Sequence, residues 1–380
     1  MIKYLDELET EDLGGKRVLL RLDLNVPVTD GEVMDTYRME RVIETVDYLR
    51  GKDALTIIIA HCEGKDSPTL APMWHYLNGY FPVDFCPTFF TPEAVEKVLH
   101  LKEKGVLLFE NVRINEGEKA NDPEFAKKLA QMADIYVDDA FGAMHRKHAS
   151  IIGVPEFLPH YGGLLLRKEI EHLSRAFKPE HPFIFILGGA KFDTKLPLIK
   201  KYLDSADVVF VAGALANDIF KAKGFEVGVS LVSEEAFGID ELVKNPRLET
   251  FVDVTVKGAD GSISFKKLSE VSKDDYIGDA GPETIEYLKK LLSSAKTVVW
   301  NGPLGNYEAG FTDKTEQLAE SIANLTSSNG LESIVGGGDT IASINKLDLN
   351  HKFSFISTGG GAMLDYLVNE TLPGIIALEQ

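Results

Sequence analysis

The sequence predicts an α/β protein of two lobes, each a parallel β-sheet flanked by helices. Apolar runs of strand length alternate with segments of helical periodicity along the whole chain. This is the pattern of a parallel sheet with crossover helices. The runs are apolar throughout, as in strands that are buried on both faces. A length of 380 residues also suits two or three domains.

Each lobe is expected to contain several strands with helices between them. In the first half we predict strands at residues 17–22, 55–60, 106–109 and 135–137, and helices at 38–50, 71–78 and 123–132. In the second half we predict strands at 183–187, 208–212, 297–300, 333–335 and 354–356, and helices at 282–292 and 313–324. Residues 254–268 place a glycine-containing turn between two β-rich runs, which predicts a hairpin appended to the second sheet.

Glycines and prolines mark the boundary between the lobes. They cluster at residues 153–163, and a helix predicted at 165–176 follows them as an interlobe helix with a hinge. We therefore assign residues 1–160 to an N-terminal lobe and residues 161–363 to a C-terminal lobe. Clefts between such lobes often hold ligands.

Charge and hydropathy exclude several classes of partner. The 59 acidic and 40 basic residues give a net charge of −19, which repels nucleic acid. No apolar run approaches the ~18 residues of a membrane helix, and the N-terminus lacks the apolar region of a signal peptide. Cys62 and Cys86 are too few for a disulfide framework or a four-cysteine zinc site. We expect a cytoplasmic protein without nucleic acid or membrane partners.

Glycine-rich turns follow several predicted strands of the second lobe, which is where open parallel sheets bind ligands. They lie at residues 188–191, 301–303, 336–340 and 357–361. Glycines let backbone N–H groups approach an oxyanion, and the helix that follows adds positive potential. Lys191 and Lys195 are one helical turn apart, and Asp339 suits a Mg²⁺ ion that bridges phosphates. These features predict nucleotide or phosphate binding, although the P-loop and Rossmann glycine fingerprints are absent.

Basic residues follow the strands of the first lobe. They are Arg21, Arg38, His61, Lys65, Arg113, His145, Arg146 and His148. In so acidic a chain this clustering favours an anion pocket, although any one arginine is equally consistent with a surface ion pair. The two histidines lack a third metal ligand. No Ser-His-Asp or HExxH pattern is present, and phosphoryl transfer to an ionised carboxylate needs no general base.

Six motifs, in the same order, resemble those of the phosphoglycerate kinase family. They lie at residues 17–27, 138–150, 188–191, 299–303, 336–340 and 357–362. The similarity extends over nearly the whole chain. It implies a Rossmann-like, three-layer αβα architecture in both lobes, with residues 364–380 returning to complete the N-terminal lobe. It also implies a monomer.

The resemblance implies reversible phosphoryl transfer between 1,3-bisphosphoglycerate and ADP, giving 3-phosphoglycerate and ATP, in line and after lobe closure. The N-terminal lobe would bind 3-phosphoglycerate through Arg21, Asp23, Asn25, Arg38, His61, Lys65, Arg113 and Arg146. The C-terminal lobe would bind Mg²⁺ with ATP or ADP through Gly189, Lys191, Lys195, Gly213, Gly305, Glu308, Gly337, Gly338, Asp339 and Thr340, with Asp339 on the metal. Arg38, Lys191 and Lys195 would be catalytic.

Several positions depart from the family pattern. The family's His-Leu-Gly-Arg-Pro reads His61-Cys62-Glu63-Gly64-Lys65, so that lysine replaces arginine and Glu63 adds a negative charge. Asp138 stands where asparagine is usual, and residues 213–217 replace a more glycine-rich segment beside the base. Two further hypotheses therefore stay open. One is a kinase of this architecture that acts on another small carboxylate, and the other is a nucleotide-binding relative without activity.

Overall fold

The computed structural model describes residues 1–34, 36–64, 68–190, 192–233 and 238–380. The chain divides into two compact units. The N-terminal unit is Met1–Glu171 with Asn369–Gln380, and the C-terminal unit is His172–Val368. The division falls within the helix Leu164–Leu173, whereas the glycines and prolines of the sequence place it at residue 160. Among the described residues, no helix is both long and apolar enough to cross a bilayer.

The strands and helices alternate along the chain. The strands are β1 (Arg17–Asp23), β2 (Val28–Thr29), β3 (Glu32–Val33), β4 (Leu55–His61), β5 (Asp84–Cys86), β6 (Val106–Phe109), β7 (Ile135–Asp138), β8 (His160–Gly162), β9 (Phe183–Leu187), β10 (Val208–Val211), β11 (Leu248–Glu249), β12 (Asp253–Lys257), β13 (Ile263–Lys267), β14 (Tyr276–Ala280), β15 (Thr297–Asn301), β16 (Glu332–Gly336) and β17 (Phe355–Ile356). The α-helices are α1 (Thr10–Leu13), α2 (Thr36–Gly51), α3 (Ala71–Asn78), α4 (Pro92–Leu99), α5 (Glu116–Lys119), α6 (Pro123–Ala130), α7 (Leu164–Leu173), α8 (Phe192–Ser205), α9 (Ala214–Ala222), α10 (Ile239–Leu242), α11 (Pro282–Ser293), α12 (Asp313–Asn329), α13 (Gly338–Lys346), α14 (Gly361–Asn369) and α15 (Pro373–Leu378).

The N-terminal unit is built on a parallel sheet with the strand order β5-β6-β4-β1-β7-β8. β1 is buried along its length after Arg17, as expected of a strand covered on both faces. Helix α2 packs on β1 and β4. It turns Met39, Val42, Val46 and Leu49 to the core, and their spacing of three and four residues places them on one helical face. The C-terminal helix α15 also belongs to this unit and packs on Ala149–Gly153.

The C-terminal unit is built on a second parallel sheet with the strand order β11-β10-β9-β15-β16-β17. β9 and β15 are buried throughout. Trp300 of β15 lies opposite Ile186 of β9, and its indole N–H donates to the carbonyl of Gly302 at 2.8 Å. This bond fixes the turn that follows β15, where the carboxyl ends of the central strands meet.

The hairpin predicted at residues 254–268 forms, but it does not extend the parallel sheet. β12 pairs antiparallel with β13 and with β14, which gives a separate sheet of order β13-β12-β14. The expectation that the hairpin is appended to the second sheet is therefore wrong. β14 occupies the second edge of β12, and the sequence analysis missed it because Gly278 and Asp279 have low strand propensity.

The predicted fold class is confirmed, since both main sheets are parallel and lie among helices. Each predicted strand is present with its ends displaced by at most one residue. The predicted helix ends are less accurate. Helix α12 continues to Asn329 instead of ending at residue 324, and α7 ends at Leu173, where a 3₁₀ turn at Ser174–Phe177 follows. The short edge strands β5, β8 and β11 were not predicted, because two or three residues carry no periodicity.

Candidate functional site

The carboxyl ends of β1, β4 and β7 bring polar residues to one edge of the N-terminal sheet. Arg21 of β1 lies opposite Asp138 of β7, and Asp23 of β1 lies opposite His61 of β4. The ring Nδ1 of His61 is 3.9 Å from Oδ1 of Asp23. Three of the predicted residues therefore lie side by side because the strands are parallel and in register.

Arg21 is fully buried beneath this edge. Its Nε donates to Oγ of Ser150 at 2.8 Å, its Nη1 donates to the carbonyl of Leu22, and its Nη2 lies 3.1 Å from Nδ1 of His61. A guanidinium can only donate, so Nδ1 of His61 is the acceptor and the ring proton lies on Nε2. The hydrogen bond from Arg21 therefore fixes the tautomer of His61.

His61 is neutral in this setting. Burial lowers its pKa to about 3, with the positive charges of Arg21, Arg113 and Arg38 assisting and Asp23 opposing. The neutral ring presents Nε2–H as a donor, and a donor is the group that an oxyanion ligand requires.

Asp23 and Arg38 meet at the end of β1. Nη1 of Arg38 is 3.5 Å from Oδ2 of Asp23 and donates to the carbonyl of Asn25 at 2.5 Å. Burial raises the pKa of Asp23, but the charge of Arg38 and the backbone N–H of Asn25 hold it below its ordinary value. Asp23 is therefore an ionised acceptor, and the first turn of α2 holds Arg38 beside it.

Arg113 is paired with an acidic residue. Its Nη1 donates to the carboxylate of Glu63, and the backbone N–H of Glu63 donates to Oδ1 of Asn25 at 2.9 Å. The side chain of Arg113 is 9% exposed, whereas that of Glu63 is 64% exposed. Nε of Arg113 is buried and donates to none of the described residues. The guanidinium thus keeps hydrogen-bonding capacity beyond its pair with Glu63.

Arg146 is exposed in the segment after β7. Its charge acts on His148 together with those of Arg113 and Arg21, and burial with these charges lowers the pKa of His148 to about 4. The charges of three of the predicted arginines therefore help to keep this histidine neutral. Lys65, the remaining predicted residue of this site, lies outside the described residues.

A buried carboxylate that the sequence analysis missed supports this edge from below. Glu118 of α5 is fully buried and accepts from the backbone N–H of Ser150 at 2.9 Å and from its hydroxyl at 2.7 Å. Because Ser150 also receives Nε of Arg21, a hydrogen-bonded chain runs from Arg21 through Ser150 to Glu118. No local sequence pattern predicts a role for Glu118. It lies on the short helix α5 and does not directly follow a predicted strand.

The glycine-rich turns of the C-terminal unit approach each other closely. A Cβ on Gly188 would lie 2.1 Å from the carbonyl oxygen of Pro303, and one on Gly213 would lie 2.8 Å from the nitrogen of Gly189. Gly213 also has a φ of +63°, which favours glycine. Only glycine fits where the turns after β9, β10 and β15 touch. This edge of the sheet therefore presents backbone groups rather than side chains.

A cavity of about 350 Å³ opens beside these turns. Five predicted nucleotide residues line it, namely Gly189, Gly213, Gly305, Glu308 and Asp339. Gly337 and Gly338 lie where α13 begins, and Oγ1 of Thr340 accepts from the N–H of Gly302 at 3.1 Å. The structure thus brings together most of the predicted residues, and Lys191 lies outside the described part of the chain.

Lys195 of α8 reaches the turn after β9. Its Nζ donates to the carbonyl of Gly188, and a Cβ on Gly189 would lie 2.6 Å from Nζ. Burial lowers the pKa of Lys195 to about 8. The ammonium group is therefore held against the glycine turn and loses its proton more readily than an exposed lysine.

The acidic residues of the cavity fit a cation that arrives with a ligand. Burial and the negative charge of Glu308 raise the pKa of Asp339. Within the described ranges no three His, Cys, Asp or Glu side chains form a metal cage. Mg²⁺ usually takes one or two protein carboxylates together with phosphate oxygens and water, so these residues suit an ion that phosphates bring with them.

Apart from Asn217, which ends the segment 213–217 that the sequence analysis places beside the base, the following cavity residues were not predicted. Leu231, Phe251 and Ile277 give the cavity apolar walls, and Asn217 and Asp279 add buried polar groups. Burial raises the pKa of Asp279 to about 7. The apolar residues come from three separate elements, so no local pattern in the sequence could have brought them together.

The two sites define an α/β phosphotransferase, with an arginine-rich anion edge in one unit and a glycine-lined cavity of nucleotide size in the other. The family described as "Phosphoglycerate kinase" matches residues 7–370. The chain therefore belongs to the phosphoglycerate kinase family.

Curated relatives and solved structures agree with this assignment. "Phosphoglycerate kinase" of Dictyoglomus turgidum is 40% identical over 394 aligned positions that cover 99% of each chain. The protein of the same name from Caulobacter vibrioides is 40% identical over 98% of each chain. The structure of phosphoglycerate kinase from Coxiella burnetii gives a TM-score of 0.84 at 34% identity, covering 100% of this chain and 99% of that one. The crystal structure of the enzyme from Pyrococcus horikoshii gives 0.87 at 30% identity, covering 100% and 98%.

Proposed function

We propose that this protein catalyses reversible phosphoryl transfer between 1,3-bisphosphoglycerate and ADP, giving 3-phosphoglycerate and ATP. The observation that carries the proposal is that one chain of this family has two sites: a basic strand edge with a neutral histidine, and a glycine-lined cavity with three acidic residues. The first suits a small phosphorylated carboxylate, and the second suits a nucleotide with its metal.

The N-terminal unit binds 3-phosphoglycerate in this proposal. Asp23 and Asn25 hold the glycerate hydroxyl and carboxylate end, and Arg38 contacts the phosphoryl group in transfer. His61, Lys65, Arg113 and Arg146 complete the anion pocket. Arg21 acts through His61, since it is fully buried and each of its three side-chain nitrogens already has a partner within the protein.

The C-terminal unit binds the nucleotide in the cavity, with Glu308 towards the ribose and the turns at Gly189, Gly213, Gly305, Gly337, Gly338 and Thr340 around it. Lys191 and Lys195 neutralise phosphate charge. Asp339 would hold Mg²⁺, which neutralises phosphate oxygens when bound. The acceptor carboxylate is already ionised, so the chain's task is positioning and charge neutralisation, with Arg38 and Lys195 supplying the charge. We further infer a cytoplasmic monomer that acts on small molecules.

The test is turnover of 3-phosphoglycerate with Mg-ATP, with the product reduced by a coupled dehydrogenase. We expect turnover that depends on both substrates. It should fall by about 10²-fold or more in Arg38→Ala, because the positive charge of Arg38 no longer stabilises the transferring group. Arg41→Ala is the matched control, since Arg41 lies on the same helix and bonds to the hydroxyl of Tyr37. No turnover by the unaltered protein, or equal activity of the two variants, would contradict the proposal.

A further inference from the structure

Glu308 lies on a short loop beside the cavity. It belongs to a single 3₁₀ turn, Tyr307–Ala309, between Gly305 and the start of α12, and it is exposed. A long exposed side chain has many accessible conformations. The position of its carboxylate therefore depends on how the loop that carries it, residues 305–314, is held.

Asp279 of β14 is a buried residue that meets both ends of this loop. At the start, a Cβ on Gly305 would lie 2.6 Å from Oδ1 of Asp279 and 2.6 Å from the carbonyl oxygen of Phe311. At the end, the backbone N–H of Lys314 donates to Oδ2 of Asp279 at 3.2 Å. Oδ1 also accepts from the N–H of Ala280 at 2.8 Å, which fixes the carboxylate on its own strand. One carboxylate thus joins the beginning of the loop to the first turn of α12.

The middle of the loop is also attached to β14. The backbone N–H of Asn306 donates to the carbonyl of Gly278 at 2.8 Å, and its Nδ2 donates to the hydroxyl of Tyr276 at 2.6 Å. The ring of Phe311 packs so closely on Gly278 that a Cβ there would overlap it. The loop therefore has a defined position on β14, and Asp279 contributes a charged group to it.

We propose that Asp279 is a positioning residue that holds the two ends of the loop 305–314 together and so places the carboxylate of Glu308 against the ribose hydroxyls of the nucleotide. The inference deepens the proposed function and rests on it for the contact between Glu308 and the ribose. A side chain that is held in its binding position loses less conformational freedom when the ligand arrives. Loss of Asp279 should therefore weaken the ribose contact and leave the phosphate contacts, which other turns supply, as they are.

The first experiment separates the ribose contact from the rest of the nucleotide. We would measure by calorimetry the dissociation constants of the Mg²⁺ complexes of ATP and 2′,3′-dideoxyATP, which differ only in the two ribose hydroxyls. Hydrogen bonds to a carboxylate predict that the unaltered protein binds ATP about 10-fold more tightly. Asp279→Asn keeps the shape of the side chain but removes its charge and replaces one acceptor by a donor.

We expect Asp279→Asn to reduce the preference for ATP to about 3-fold or less, and to change the affinity for dideoxyATP by less than about 2-fold. An unchanged preference in this variant would overturn the proposal. Equal affinity of the unaltered protein for the two nucleotides would also overturn it, while leaving the nucleotide site in place. Failure of both nucleotides to bind the unaltered protein would instead contradict the proposed function.

Asp253→Asn is the matched control. Asp253 is also buried, and it accepts from the N–H of Thr284 at 2.7 Å in the first turn of α11. It lies against Gly281 as closely as Asp279 lies against Gly305. Helix α11 contributes none of the described residues that line the cavity. We expect this control to keep the preference for ATP even where it unfolds at lower urea concentration. An equal fall of the preference in both variants would assign the effect to stability and overturn the proposal.

The second experiment tests whether Asp279 acts through Glu308. Glu308→Ala alone should lower the preference for ATP, and adding Asp279→Asn to it should change the affinity for ATP by less than about 2-fold. Independent roles would multiply the two effects and would overturn the proposal. Should Asp279→Asn fail to fold, Asn306→Ala decides, because Asn306 is exposed and ties the same loop to Tyr276. An unchanged preference for ATP in Asn306→Ala would then overturn the proposal.

Discussion

The carboxylate of Glu63 accepts a hydrogen bond from the guanidinium of Arg113 at the basic edge of the N-terminal unit. Asn25 holds the backbone of Glu63 in place through its side-chain oxygen, at 2.9 Å. Glu63 is thus an anion that belongs to the protein and already occupies one of the arginines proposed to bind substrate. An incoming phosphate or carboxylate competes with Glu63 for the charge of this guanidinium.

Removing the charge of Glu63 should therefore strengthen binding of 3-phosphoglycerate. We expect Glu63→Gln to lower the KM for 3-phosphoglycerate by about 2- to 5-fold, the range for an exposed ion pair, and to leave the KM for Mg-ATP unchanged. The Asn25 contact survives because it uses the backbone. Glu103→Gln is the matched control, as it removes the same charge just before β6, at the opposite end of the strands. An unchanged or higher KM in Glu63→Gln would refute the competition.

Lys195 should set the alkaline limit of activity. Burial lowers its pKa to about 8, so the free enzyme loses this positive charge as the pH rises through that value. We expect kcat/KM for Mg-ATP to fall above about pH 8, because the neutral amine no longer stabilises phosphate charge.

Two substitutions test this assignment. Lys195→Arg keeps its charge at all these pH values and should move the fall in kcat/KM to higher pH. Lys195→Ala should lower kcat by about 10²-fold or more. A fall near pH 8 that persists in Lys195→Arg would assign the ionisation to another group.

The sequence predicts the residues that follow the strands in both sites, but not the buried residues behind them. Glycine turns and basic residues follow apolar strands directly, so their meeting at one edge follows from parallel pairing. The pairing of β12 with β14 depends on contacts that strand propensity does not show. Likewise, Glu118 and Phe251 act through tertiary neighbours, and no spacing along the chain predicts their roles. The missed elements are therefore those whose position is decided by packing.

Asp138 should make the N-terminal unit less stable as the pH rises. Burial raises its pKa to about 7, although the N–H of Ala140 and the charge of Arg21 oppose this. The hydroxyl of Tyr136 lies 2.5 Å from the carbonyl of Ser150 and 3.0 Å from Oδ2 of Asp138. One hydroxyl proton cannot serve both acceptors, so protonated Asp138 completes the set by donating to Tyr136.

Since the folded pKa of Asp138 is above its ordinary value, its neutral form stabilises the fold fully below about pH 4, and this stabilisation is lost as the pH rises through about 7. Asp138→Asn supplies a permanent N–H donor. We expect it to raise the free energy of unfolding by about 1–2 kcal/mol at pH 8 and by less at pH 5, in urea titrations beside the unaltered protein. A difference between the two proteins that does not grow with pH would contradict the raised pKa.

The hydroxyl of Ser150 should stabilise the N-terminal unit as the link between two buried charged residues. It accepts from Nε of Arg21 at 2.8 Å and donates to Glu118 at 2.7 Å. Ser150→Ala leaves both without that partner, which predicts a loss of about 1–3 kcal/mol in the free energy of unfolding. The matched control is Ser343→Ala, because the buried hydroxyl of Ser343 bonds to none of the described residues. We expect that control to change the free energy of unfolding by less than about 0.5 kcal/mol. Equal effects of the two substitutions in urea unfolding would show that the chain from Arg21 to Glu118 adds nothing to stability.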